Sequence, residues 1–190
     1  MKKLEEVILS QGKILGADIL KVDSFLNHQI KPKLIQDMAK DFADYFRDKK
    51  ITKVLTVESS GIAPALLTGL ELDCDVVFAR KQKSLTTDDN TYSSTCYSYT
   101  KEVMKRLIVS KDYINENDNV LCIDDFLANG QAAKAMIAIC KQAGANVAGV
   151  GIVIEKSYQK GRELLDQMGV DVYSLARISK MSPEGIEFID

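Results

Sequence analysis

The sequence predicts an α/β protein built on a mostly parallel sheet covered by helices. Two observations carry this. The runs VLTV (Val54 to Val57), VLCID (Val120 to Asp124) and VAGVGIVIE (Val147 to Glu155) are almost continuously apolar, as strands buried on both faces require. Helical patterns separate or follow them: IAPALLTGLEL, the stretch Ala132 to Ala143, and GRELLDQMG. The length of 190 residues allows one ordinary domain, residues 1–190, with a core large enough to fold unaided.

Taken in order, Leu4, Val7, Ile8 and Gln11 recur at helical spacing, which predicts a short amphipathic helix ending at Gly12. Two short apolar stretches follow, at Ile14-Leu15 and Ile19-Leu20, and then a polar loop, SFLNHQI. Pro32 suits the first turn of a helix whose buried face is Leu34, Ile35, Met38, Ala39, Phe42 and Phe46 and which stops near Lys49. Strand–helix alternation then begins at Lys53, with DVVFA (Asp75 to Ala79) as a second strand. Between Arg80 and Glu102 lies a long stretch rich in Ser, Thr and Asp, expected to be a loop; loops of that length inside compact domains are usually functional. VMKRLIVS is expected to close it as a hairpin strand, and VDVYSLARI is the final strand.

Composition excludes several classes. Apolar residues at 46% and charged residues at 27% rule out a disordered chain. A net charge of −2 gives no electrostatic case for nucleic acid or an anionic membrane. With one His and no C-x-x-C pair among Cys74, Cys96, Cys122 and Cys140, no zinc cluster is expected. No run approaches the roughly 18–20 apolar residues of a membrane helix, and MKKLEEVILSQGK lacks the apolar stretch of a signal peptide. A cytoplasmic, thiol-reduced protein is expected.

Ligands of such sheets bind beyond the carboxyl ends of the strands. The first strand-end segment, VESSGIAPA (Val57 to Ala65), is a small-residue turn at a helix start that offers N–H groups to an anion. Alone it also reads as an ordinary capping turn. The second, VLCIDDFLANGQA (Val120 to Ala132), delivers Asp124 and Asp125 to a strand end and turns through a Gly into a helix. Paired carboxylates accept sugar hydroxyls while loop amides and the helix dipole hold a phosphate, so the pattern suits a phosphorylated polyol. A capping turn needs only one Asp.

Val120 to Ala132 resembles the thirteen-residue phosphoribosyl-diphosphate (PRPP) signature of type I phosphoribosyltransferases: four apolar residues, two acids, two apolar residues and a small Gly-containing loop. VESSGIAPA is similar to that family's diphosphate loop, and the polar stretch of about residues 80–102 to its flexible catalytic loop. SFLNHQI and VIEKSYQKGRELL, with the ANGQA loop, look most like the bacterial members that use xanthine. The resemblance implies the type I fold, with a small hood over the base made by residues 1 to about 30 and 156–190. It assigns Asp124 and Asp125 to the ribose hydroxyls and Ala128, Asn129, Gly130, Gln131 and Ala132 to the ribose 5-phosphate. Glu58, Ser59, Ser60 and Gly61 would lie by the diphosphate, through a strained peptide bond. Arg80 and Lys81, with Mg²⁺ carried in by PRPP, would neutralise the departing diphosphate; no residues are assigned as metal ligands.

In the hood, Lys156 would bind an exocyclic oxygen of the purine and disfavour an amino group. Asn27 would bind a second oxygen, the main chain near Leu20 would complete the edge, and either Phe126 or Leu127 would pack on the base. Tyr92, Tyr97 and Tyr99 would steady the closed loop or a subunit contact. His28 receives no role. Two departures stand out. Asn129 and Ala132 replace Thr residues that flank the loop Gly in many relatives, and Ala128 replaces the Asp that hypoxanthine-guanine relatives use for acid–base work on the purine. The implied function is Mg²⁺-dependent transfer of phosphoribose from PRPP to xanthine by a homodimer. Guanine or hypoxanthine as the base, or a non-catalytic regulator of the same fold, are the alternatives.

Overall fold

The computed structural model of the protein describes residues 1–16, 18–82, 90–98 and 103–189. Helix α1 (Lys2–Gln11) ends at Gly12, whose amide caps the carbonyl of Ile8 at 2.8 Å. Strands β1 (Lys13–Leu15) and β2 (Ile19–Lys21) form a separate small hairpin, followed by a single π-type turn, Asp23–Asn27. The expected polar loop is therefore partly helical, because Phe25 and Leu26 within it are buried and draw the backbone into a turn. Helix α2 (Pro32–Phe46) has Pro at its start and buries the predicted face.

The main sheet is formed by β3 (Lys53–Val57), β4 (Asp75–Gln82), β5 (Thr91–Ser98), β6 (Val103–Ser110), β7 (Asn119–Leu127), β8 (Asn146–Lys156), β9 (Val172–Ser182) and β10 (Gly185–Phe188). Among the described residues the order is β10-β9-β8-β7-β3-β4-β6-β5. The five strands β9-β8-β7-β3-β4 are parallel, and β10, β6 and β5 add antiparallel edges. Helices α3 (Ile62–Leu72), α4 (Gln131–Gln142) and α5 (Gly161–Gln167) make the connections.

Period-two geometry explains the apolar strands. On β7, Leu121 and Ile123 pack in the cluster that contains Phe42 and Phe46 of α2, whereas Val120 and Cys122 pack in the cluster that contains Met136 and Cys140 of α4. Truncating either phenylalanine to Ala should cost about 3–5 kcal/mol.

Two expectations are corrected. The stretch Arg80 to Glu102 is not one loop: β4 runs on to Gln82, and Thr91–Ser98 is a strand paired along its length with β6. Its residues are polar, yet Thr, Tyr and Cys suit a pleated surface, and the partner strand contributes Leu107 and Val109 to the core. Residues 83–89 and 99–102 of the expected flexible loop, Tyr99 among them, lie outside the described residues. The chain also adds β10 after the strand expected to be last.

Strand order reverses between β3 and β7: the chain proceeds from β3 to β4 on one side and from β7 to β8 and β9 on the other. A crevice opens at such a switch point. Glu58 follows one of these two strands, and Asp124 and Asp125 lie near the end of the other.

Candidate active site

Strand β7 carries the acid pair to the crevice. Asp124 is only 7% exposed and Asp125 is half-buried. Each carboxylate accepts the next backbone amide: Asp125 N–H donates to Asp124 Oδ1 at 3.0 Å, and Phe126 N–H to Asp125 Oδ1 at 3.0 Å. Burial, and then the charge of Asp125, push the Asp124 carboxyl well above the usual carboxylate range.

At the end of β3, the Glu58–Ser59 peptide bond is cis, at the place where the unusual bond was expected. Glu58 Oε1 accepts the amide of Lys81 at 2.7 Å, and the Glu58 amide donates to Ala79 O at 3.1 Å, so this turn is tied to β4 at two points. Between the two strand ends lies a cavity of about 310 Å³, bordered by Glu58, Ser60, Gly61, Lys81, Asp124, Asp125, Phe126 and Ala132. Three carboxylates and two lysines, Lys81 and Lys105, converge on it, which suits a ligand bearing both hydroxyls and negative charge.

The next turn has the form of an anion cradle. Among the described residues no backbone carbonyl accepts the amides of Asn129, Gly130, Gln131, Ala132 or Ala133; the first helical bond is Lys134 N–H to Gly130 O, at 2.9 Å. Unsatisfied amides at a helix start, aligned with the dipole of α4, attract an anion. Gly130 holds φ at +74°, a left-handed conformation that a side chain resists. A cavity of about 190 Å³ lies against this turn and shares Phe126, Cys96 and Ala132 with the first.

On the other side of β7, Lys156 ends β8, half-buried. Its ammonium donates to the carbonyl of Asp18 in the β1–β2 turn and sits 5.7 Å from the centre of the Phe126 ring. Burial draws its pKa down, partly opposed by the charge of Asp18. Phe126 therefore bridges the acid pair and the lysine, whereas Leu127, 1% exposed, belongs to the core. Leu20 is 6% exposed, pairs with Ile14 in the small hairpin and lines neither cavity. Asn27 is exposed at the end of the π-type turn and lines neither cavity.

Arg80 is separated from Lys81 by strand alternation. It lines a groove on the other face of β4, with Phe78, Ile108 and Tyr113, and not the cavity of Asp124. Ser59 is exposed and does not border that cavity either. Tyr97 borders the cavity against the Gly130 turn; Tyr92 packs on the core cluster of α4. Sequence reasoning missed Cys96 and Lys105, cross-strand neighbours on β5 and β6 that line the first cavity. The signal for Cys96 is the alternation of β5 within the stretch expected to be loop; Lys105 lies on the expected hairpin strand, and only its pairing with Cys96 brings it to the cavity. Burial, and then the charge of Asp124, push the Cys96 thiol up.

Comparisons with known proteins agree with this geometry. The family model for the phosphoribosyl transferase domain matches residues 21–179. The chain is 57% identical to the xanthine phosphoribosyltransferases of Latilactobacillus sakei and Listeria innocua over 190 residues, covering all of this chain and 97% and 99% of theirs. It is 52% identical to that of Bacillus cereus, of which it covers 96%. Among solved structures, adenine phosphoribosyltransferase of Trypanosoma brucei superimposes with a TM-score of 0.78 at 20% identity, over 97% of this chain and 81% of that one. The Rhodothermus marinus adenine enzyme gives 0.75 at 23% identity, over 93% and 99%.

Proposed function

The chain belongs to the phosphoribosyl transferase family, and from that premise we propose that it transfers phosphoribose from PRPP to xanthine, releasing xanthosine monophosphate and diphosphate in purine salvage. One observation carries the reading: a single thirteen-residue segment sets a carboxylate pair on one cavity and four of the five unpaired amides on the next, while Lys156 stands across Phe126 from both. Sugar hydroxyls, phosphate and an oxo-bearing base are the three chemistries those groups select. Curated relatives that match end to end carry xanthine in their names.

Asp124 and Asp125 orient the ribose by accepting its hydroxyls, and the amides of Asn129 to Ala133 fix its 5-phosphate. Lys81 and Lys105 offset the charge that grows on the departing diphosphate. Lys156 exchanges the Asp18 carbonyl for an exocyclic oxygen of the base, and Phe126 covers its ring. Ala128 brings no carboxylate to the base, so deprotonation rests on the acidity of xanthine itself. We assign the base-covering hood to residues 1–30 and 156–190.

Mg²⁺ fits this site as a companion of PRPP. Among the described residues no cluster of His, Cys, Asp and Glu is placed to cage a metal, yet Glu58, Asp124 and Asp125 offer hard oxygen donors beside the place for the diphosphate. When bound, the ion supplies positive charge to the diphosphate.

A homodimer is part of the proposal. Phe78 is 44% exposed at a groove of about 520 Å³ that it shares with Val77, Ile108 and Tyr113, and Leu70 is 73% exposed on α3. A cytoplasmic setting is supported by four unbridged cysteines, two of them buried. The direct test is to incubate the protein with PRPP, Mg²⁺ and xanthine and to look for xanthosine monophosphate and diphosphate in equal amounts. Turnover of no purine would remove the reading.

A further inference from the structure

Glu155 is an acid at the end of an otherwise apolar strand, and its side chain is 0% exposed. Four groups satisfy it. Ser157 Oγ donates to its Oε1 at 2.6 Å and Ser174 Oγ to its Oε2 at 2.5 Å; Arg162 Nη1 donates to Oε2 at 2.8 Å and Arg177 Nε to Oε1 at 3.4 Å. Burial alone would raise its pKa, but the two hydroxyls and the two guanidinium groups outweigh it and keep the carboxylate ionised. None of these five residues borders the two cavities of the acid pair and the phosphate turn, so the carboxylate does not face the reacting atoms.

Its placement gives it two arms. The first runs toward the base. Lys156 follows directly, and Ser157, on the far side of that lysine, is tied back to Glu155 through its hydroxyl and to Ile178 O through its amide at 2.9 Å. The backbone of Lys156 is thus held on both sides. The second runs toward the phosphate. Arg162 lies in the first turn of α5, whose first residue, Gly161, donates its amide to Ala128 O at 2.9 Å and so anchors the start of the phosphate turn. A buried carboxylate that loses its charge leaves Arg177 unbalanced and Arg162 with only its bridge to Asp166, at 3.4 Å, so the two arms are mechanically and electrostatically joined.

We propose that Glu155 is a positioning residue that sets Lys156 and the Ala128–Ala132 turn in register, so that one buried carboxylate fixes the distance between the base and the 5-phosphate. This rests on the phosphoribosyl-transfer reading. Substrate positioning should therefore depend on a residue that touches neither substrate.

Glu155→Gln keeps the volume and removes the charge. It should raise KM for both PRPP and xanthine by about tenfold while kcat at saturation changes less than about threefold. Arg162→Met cuts the phosphate arm, together with the bridge from Arg162 to Asp166 within α5, and leaves the base arm in place; it should weaken PRPP and free ribose 5-phosphate alike, with KM for xanthine unchanged. Ser174→Ala, which removes a neutral partner and touches neither arm, should resemble wild type. A lower Tm for Glu155→Gln with both KM values held within about twofold would mean a merely structural role and overturn the proposal. If that variant fails to fold, an Arg162→Met variant that binds ribose 5-phosphate as wild type does overturns it equally. Ribose 5-phosphate binding needs no turnover, so a wild type inactive on xanthine would sink the function while leaving the phosphate arm readable.

Discussion

Gly161 donates its amide to the carbonyl of Ala128 at 2.9 Å, and a Cβ on Gly161 would stand 2.4 Å from that same oxygen and 2.9 Å from the amide nitrogen of Gly130. Helix α5, remote in sequence, thus sets the shape of the anion cradle through the closest approach its backbone permits. The segment VIEKSYQKGRELL carries this contact, together with Lys156 and Glu155.

Gly161→Ala should therefore push the turn outward. We expect KM for PRPP to rise by about tenfold or more, with stability lower by about 1–3 kcal/mol from overpacking. Steady-state kinetics with chemical denaturation checks both, and a variant with wild-type KM would contradict the role of the contact.

Asp125→Asn keeps the shape of the half-buried carboxylate and removes its charge. Loss of a charged acceptor for a sugar hydroxyl costs about 1.5–3 kcal/mol, so PRPP should bind roughly ten- to a hundredfold more weakly. Calorimetric titration measures this; unchanged PRPP affinity would take Asp125 out of the sugar site.

Asp124 behaves differently because it is buried and faces Asp125. An acid whose folded pKa is raised stabilises the fold below the ordinary carboxylate range, and that contribution is lost as pH rises through the raised value. Asp124→Asn should then melt above wild type at pH 8 without substrate, by about 2–4 °C for each kcal/mol relieved. The gap should close as pH falls below about 4. A Tm below wild type at every pH would contradict the burial argument.

Much of this site was legible in the sequence, and for local reasons. The acid pair, the turn after it and the helix beyond are contiguous, so strand alternation and capping chemistry place them without knowledge of the rest of the chain. Arg80 and Lys81 were legible as residues but not as a split pair: only the extension of β4 to Gln82 turns them to opposite faces. Cys96 was hidden because β5 is polar and owes its strand state to pairing with β6, and Lys105, on the expected strand β6, because the same pairing sets its place at the cavity, a tertiary effect. Glu155 was visible as an acid closing an apolar strand, but its four partners come from as far as Arg177.

Lys156→Ala should act on base choice. A charged donor to an exocyclic oxygen is worth about 1.5–3 kcal/mol, so the xanthine-to-adenine ratio of kcat/KM should fall roughly ten- to a hundredfold. If the ratio is unchanged, the base does not meet Lys156.

Phe78→Glu places a charge in the exposed groove beside Tyr113 and Ile108. Sedimentation velocity should show a dimer for the wild type and a monomer for the variant; a wild-type monomer at micromolar concentration would refute the dimer.

The most direct measurement is the rate of diphosphate release from PRPP and Mg²⁺ with xanthine, guanine, hypoxanthine and adenine, each over a range of concentrations. Xanthine should give the highest kcat/KM and adenine the lowest, because Lys156 favours an oxo group and Ala128 offers no carboxylate to activate a less acidic base. Guanine outrunning xanthine would contradict the account.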